Sequence, residues 1–183
     1  MWKRLSFLAL FLLLACASPQ PLPTITQQHI QHHNPIRIQI DDRFNVYEHR
    51  QFIKAFSHLS QLNLQFIEVT EYPDLRIKWW INPVISSRTI GLHYPGQNYV
   101  LISTDRIATE AQLRAVVLHE TGHWLGMTHV CRDERHNSVK HHCSPVGYGV
   151  GIMNPEIGRN HVQSFTDLDI QEFRRAMREG ALD

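Results

Sequence analysis

The run His119-Glu120-Thr121-Gly122-His123-Trp124-Leu125-Gly126-Met127-Thr128-His129 constrains this chain more than any other feature. Residues four apart share one face of a helix, so His119 and His123 aim two imidazoles at one point. Glu120 follows His119 directly and can reach a water held at that point without being a ligand. Gly126 tolerates backbone conformations that other residues resist, so the chain can leave the helix and turn. His129 then returns as a third imidazole. Three histidine nitrogens with one open position form the donor set of a catalytic zinc. The chain holds 13 histidines and nine glycines. At this composition the pattern arises by accident with a probability of about 10⁻⁴. Thr109-Glu110-Ala111-Gln112 is a capping-box pattern that opens the helix, with Leu113, Val116 and Val117 on one face.

The rest of the chain supplies a scaffold for that helix. Ile36–Ile40 alternates apolar and polar residues and predicts a strand with one buried face. Tyr47–Leu59 carries Phe52, Ile53, Phe56 and Leu59 at helical spacing and predicts an amphipathic helix. Leu64–Val69, Leu75–Ile81 and Tyr99–Ser103 read as further strands, and the stretch with Gly91, Pro95 and Gly96 reads as a loop. This order predicts an α+β domain with a mixed, twisted sheet of about four to five strands. Trp79 and Trp80 point to opposite faces of their strand, one to the core and one to the rim. Trp124 reads as packing, and Arg174, Arg175 and Arg178 as a solvated helix face.

Lysine and arginine total 18 against 17 aspartates and glutamates, so the net charge is +1. Such a balance supplies no field for holding nucleic acid, and none is expected as a partner. The N-terminus has a short basic region and then an apolar run from Leu5 to Ala15, too short to span a bilayer. Residues 1–15 read as a signal peptide. Leu13-Leu14-Ala15-Cys16 resembles the lipobox of bacterial lipoproteins, in which Cys16 is lipidated and becomes the mature N-terminus. The competing reading is an ordinary cut after Ala17, giving a secreted protein. Lipidation of Cys16 leaves Cys131 and Cys143, which can pair in an oxidising compartment. Ala17 after the cysteine implies outer-membrane sorting, facing the periplasm or the cell surface. Residues 16–34 then form the lipidated cysteine and a Pro- and Gln-rich tether, and residues 35–183 the folded domain. His29, His32 and His33 read as linker residues.

The His119–His129 stretch resembles the zinc signature of the metzincin metallopeptidases. Their second hallmark is a tight turn with a methionine beneath the metal. Gly151-Ile152-Met153-Asn154-Pro155 has that form, 24 residues after His129. The flanks resemble the matrixin-like branch. Ala115–His119 is similar to its lead-in, and Phe165–Ile170 to the start of its last helix, with Thr166 as N-cap. The resemblance implies a zincin fold with an active-site helix, a methionine turn and a C-terminal helix. Matrixins usually carry serine after the third histidine, where this chain has Val130. Pro155 stands where astacins and serralysins carry a tyrosine ligand. His93 and Asp105 are isolated, and no structural zinc or calcium loop is recognisable.

The resemblance implies one catalytic zinc on His119, His123 and His129, with Met153 as an apolar floor. It implies an endopeptidase in which a metal-activated water attacks the peptide carbonyl and Glu120 acts as general base. An extended protein or peptide substrate is expected on the edge strand near Tyr99–Ser103. The loop from Met153 to Asn160 is expected to shape its pocket. Two other functions stay open: a hydrolase of cell-wall peptide stems, and an inactive zinc-holding binding lipoprotein. Between His129 and Met153, Cys131 and Cys143 read either as a disulfide or as a second metal site with His136, His141 or His142. Export favours the disulfide.

Overall fold

The computed structural model describes residues 34–81, 89–136, 143–157 and 161–179. The leader, Cys16, the tether with its histidines, His141 and His142 lie outside these residues, as does the side chain of His136.

Five strands form one mixed sheet: β1 (Ile36–Ile40), β2 (Phe66–Glu68), β3 (Leu75–Trp79), β4 (Gly91–His93) and β5 (Tyr99–Ile102). Their order across the sheet is β2-β1-β3-β5-β4. The first four in that order are parallel, and β4 is antiparallel to β5. Three helices accompany them: α1 (Val46–Ser57), α2 (Glu110–Trp124) and α3 (Asp167–Glu179). The expected α+β class and mixed sheet are present.

Local chemistry explains the element ends. Asn45 accepts from the N–H groups of Tyr47 and Glu48, while the Glu48 carboxylate accepts from the Asn45 N–H. This capping box starts α1. A 3-10 segment, His58–Leu62, continues it, and Asn63 ends that segment in the left-handed region at φ 57°. Alternation in β1 works as read: Ile36 and Ile38 are each 1% exposed. Phe52 of α1 is fully buried and meets Phe44 edge to face, with ring centroids 4.7 Å apart. Burying a side chain of this size contributes about 1.5–3 kcal/mol. Val116, Val117 and Leu118 of α2 join the same core.

Two expectations fail at the sheet's edge. The stretch read as a loop contains β4, whose three residues are too few to show a period. Tyr99–Ile102 is consequently an interior strand, flanked by β3 and β4. The antiparallel edge is Gly91–His93. Ile90 accepts from the Ser103 N–H, which sets the pairing phase. Polar groups alternate along an antiparallel strand, so Gly91 and His93 turn theirs outward, away from β5. Trp79 packs on the core beneath the Arg43 guanidinium, and Trp124 is buried at 2% exposure.

Candidate metal centre

Helix α2 opens where the capping pattern placed it. The Thr109 hydroxyl accepts from the Gln112 N–H at 3.1 Å. The Gln112 side chain reaches one residue further back than expected and accepts from the Ala108 N–H at 2.9 Å. The helix ends in a Schellman arrangement. Gly126 takes φ 84°, its N–H donates to the His123 carbonyl, and the Met127 N–H donates to the Gly122 carbonyl. The chain reverses there and carries His129 back beside the helix.

This brings the three histidines together. One ligand nitrogen from each of His119, His123 and His129 lies within 4.8 Å of the others. His119 Nδ1 bonds to the Ile152 carbonyl at 2.8 Å, and His123 Nδ1 to the Met127 carbonyl at 2.9 Å. A carbonyl only accepts, so both Nδ1 atoms carry their proton and both Nε2 atoms are bare lone pairs. Those two Nε2 atoms are 3.0 Å apart. Two lone pairs at that separation repel unless a cation lies between them. Nitrogens about 2.0–2.1 Å from one tetrahedral zinc sit roughly 3.4 Å from each other, so the donor set fits this ion. Burial, followed by the charges of His123 and His129, pushes the His119 pKa well below the usual imidazole value. Burial also lowers that of His123. Neutral imidazole is the form that binds metal.

Glu120 is 7% exposed and faces β4. Burial raises its pKa to about 8, opposed by the His93 backbone N–H, which donates to it. The general base expected from the sequence therefore touches the outward edge of β4. A side chain at Gly91 would put its Cβ 2.7 Å from Glu120 Oε1, which explains glycine at that position. His93 read as isolated in the sequence, yet its peptide supports Glu120 and its Nδ1 lies 3.1 Å from the Tyr99 carbonyl.

Met153 is fully buried below α2. A Cβ at Gly122 would overlap its Sδ, so the glycine between the first two histidines makes room for the methionine turn. The Met153 carbonyl accepts from the Val130 N–H at 2.9 Å, which joins the turn to the segment of the third histidine. Asp169, buried on α3, accepts from the N–H groups of Ile152 and Met153, both at 2.9 Å, and from the Thr166 N–H and hydroxyl. Thr166 in turn receives the Asp169 N–H at 3.4 Å, so it caps α3 as expected. Asp169 also meets any side chain at Gly151.

Cys131 and Cys143 form a disulfide with Cα atoms 5.4 Å apart. The bridge sits beside the site, where His129 pairs with Cys143. Arg175 departs from its expected place on a solvated face. Its guanidinium bonds to Glu172, which is 0% exposed. Sequence reading missed Gly91, Asp169 and Glu172. The last two look like ordinary helix-surface carboxylates, and only the buried stripe they share with Phe173 and Ala176 marks them.

No protein-family model matches the chain, and no curated protein matches it in sequence. Solved structures do match. Archaemetzincin from Methanopyrus kandleri aligns with TM-score 0.55 and 10% identity over 78% of this chain and 96% of that one. Myroilysin aligns with TM-score 0.55 and 14% identity over 78% and 79%. High choriolytic enzyme 1, a hatching enzyme zinc-protease from the medaka fish Oryzias latipes, aligns with TM-score 0.51 and 14% identity over 78% and 88%. At these identities the likeness speaks for the architecture, and the chain has a metzincin-like fold.

Proposed function

We propose that this protein is a zinc-dependent endopeptidase of metzincin type, closest in its motifs to the matrixin-like branch. The observation that carries the reading is the pair of Nε2 atoms of His119 and His123, 3.0 Å apart, each ring with its Nδ1 turned to a backbone carbonyl, with His129 completing the donor set. His119, His123 and His129 hold the ion. Bound zinc supplies Lewis acidity, which polarises the scissile carbonyl and lowers the pKa of the attacking water. Glu120 accepts that water's proton on a carboxylate oxygen and delivers it to the nitrogen of the leaving amine. In this role Glu120 would act as a carboxylate, the form that the His93 backbone N–H favours against the effect of burial. An extended substrate lies along the outward edge of β4, where the Gly91 backbone and the His93 carbonyl offer pairing groups next to Glu120. Met153, packed against Gly122 of α2, supports the site from below.

The same reading extends to location. Residues 1–15 serve as an export signal, Cys16 carries a lipid, and residues 17–34 tether the domain to a membrane, with the outer membrane as destination. The Cys131–Cys143 disulfide supports an oxidising compartment.

The test is cleavage of a peptide library by the zinc-loaded protein beside Glu120→Ala, with products read by mass spectrometry. The expected result is internal cuts by the wild type, falling by at least about a hundredfold in the variant, which keeps its zinc. Equal cutting by both would refute the mechanism. Silence on peptides, with release of stem peptides from cell wall, would move the substrate to peptidoglycan.

A further inference from the structure

Glu172 takes no part in the chemistry proposed above, yet it is one of the most deeply buried side chains, at 0% exposure. A buried carboxylate is costly unless several donors converge on it. Here they do. The Thr128 N–H donates at 2.7 Å and the Thr128 hydroxyl at 2.8 Å. The Ser144 hydroxyl is a third donor. Arg175 donates from Nε at 2.7 Å and from Nη2 at 2.6 Å. Burial pushes the Glu172 pKa up, but Arg175, Ser144 and Thr128 together outweigh it and hold the carboxyl below its usual value.

The origin of these donors is informative. Thr128 immediately precedes His129. Ser144 immediately follows Cys143, and its N–H donates to the His129 carbonyl at 2.6 Å. Both segments of the His129–Cys143 pairing are thus fastened to one carboxylate on α3. Arg175 adds a contact from Nη2 to the Thr128 hydroxyl at 3.3 Å. His119 and His123 need no such clamp, because α2 sets their spacing. His129 lies beyond the Gly126 turn, on a segment with no helical ladder of its own.

We propose that Glu172, oriented by Arg175, is a positioning residue for the third metal ligand: it holds Thr128 directly and, through Ser144, the segment that receives the His129 carbonyl, and so sets how tightly the three histidines hold their ion. The inference rests on the zinc site proposed above. Outer partners of metal ligands typically change affinity by about 10–100-fold, and an effect of that size is expected here.

The experiment measures zinc affinity of the full chain by competition with a chromophoric chelator, for Glu172→Gln and Thr128→Val, each with and without His129→Ala. Glu172→Gln is expected to weaken zinc about 10–100-fold with His129 present. In the His129→Ala background the same change should alter affinity by less than about twofold, because the residue acts through that ligand. Thr128→Val, which removes one hydroxyl donor and keeps the N–H, is expected to show a smaller loss that also vanishes without His129. In the cobalt-substituted protein, Glu172→Gln should lower the visible absorption that reports four-coordination. Unchanged affinity in folded Glu172→Gln, or an equal loss in both backgrounds, would overturn the proposal. If Glu172→Gln does not fold by circular dichroism, Thr128→Val decides on the same terms. Zinc uptake indifferent to His119→Ala would overturn the proposed function and this inference together. Uptake that depends on His119 but not on Glu172 would overturn only the inference.

Discussion

Helices α2 and α3 serve one site in opposite ways. Helix α2 presents chemistry: two imidazoles leave it toward a single point, set by its regular spacing, and the carboxylate of Glu120 faces β4 beside them. Helix α3 presents none, and its two buried carboxylates, Asp169 and Glu172, hold neighbouring segments in place. Asp169 grips the methionine turn from below, and Glu172 grips the segment that carries His129. A residue's role in the first helix can be inferred from its neighbours three and four positions away. A role in the second depends on segments 16 to 44 residues distant, which no local pattern encodes. Two of the three imidazoles thus come from one element, and the hold on the third and on the methionine turn from another.

Substitutions on the two helices should separate these roles. The largest effect is expected on α2. His123→Ala should weaken zinc by more than the 10–100-fold typical of outer partners, because it removes a direct ligand. Fold stability without metal should change little by comparison. Competition with a chelator and thermal unfolding of the metal-free protein measure the two quantities. A variant that kept wild-type affinity would remove His123 from the site.

On α3 the balance should invert. Asp169→Ala leaves the buried N–H groups of Ile152 and Met153 without an acceptor. Each such group costs about 1–3 kcal/mol, so a loss of roughly 2–6 kcal/mol is expected in denaturant unfolding. A loss below about 1 kcal/mol would mean that the methionine turn stands without α3.

The sequence exposes the first role and conceals the second. The three histidines, the Thr109 cap and the turn at Gly126 follow from spacing and residue type, while the methionine turn and the Thr166 cap follow from the resemblance; the structure brings the three histidines together, caps both helices at these threonines and buries Met153 against Gly122. The Cys131–Cys143 pairing followed from compartment logic. Strand β4 escaped because three residues show no period, and the resemblance then points to β5 as the edge, a place that β4 occupies. Arg175 read as solvated because its buried partner is itself a charged residue, which ordinary patterning assigns to the surface.

A pH series sharpens the contrast on α2. Without metal, burial raises the Glu120 pKa from 4.5 to about 8. For a group whose folded pKa is raised, the stabilising contribution is complete below the unfolded value and is lost as pH rises through the folded one. The metal-free wild type should therefore lose stability between about pH 4.5 and 8 relative to Glu120→Gln. Thermal unfolding with chelator at pH 5 and pH 9 reads this difference. Parallel behaviour of the two proteins would place Glu120 in water rather than in the site.

A smaller effect is expected where α2 meets the methionine turn. Gly122→Ala forces its new Cβ into Met153 Sδ, and overpacking of this kind costs about 1–3 kcal/mol. Met153 is flexible, so part of the overlap should relax, and Met153→Leu alone should cost less than about 1.5 kcal/mol. If Gly122→Ala were neutral, the turn would not be packed against the helix.

Zinc-edge X-ray absorption of the full chain, alongside the metal-to-protein ratio, reads the coordination shell itself. A site built on His119, His123 and His129 should give one zinc per chain, three imidazole nitrogens at about 2.0–2.1 Å and a light fourth scatterer that is not sulfur. Substoichiometric zinc, or a shell containing sulfur at about 2.3 Å, would contradict it.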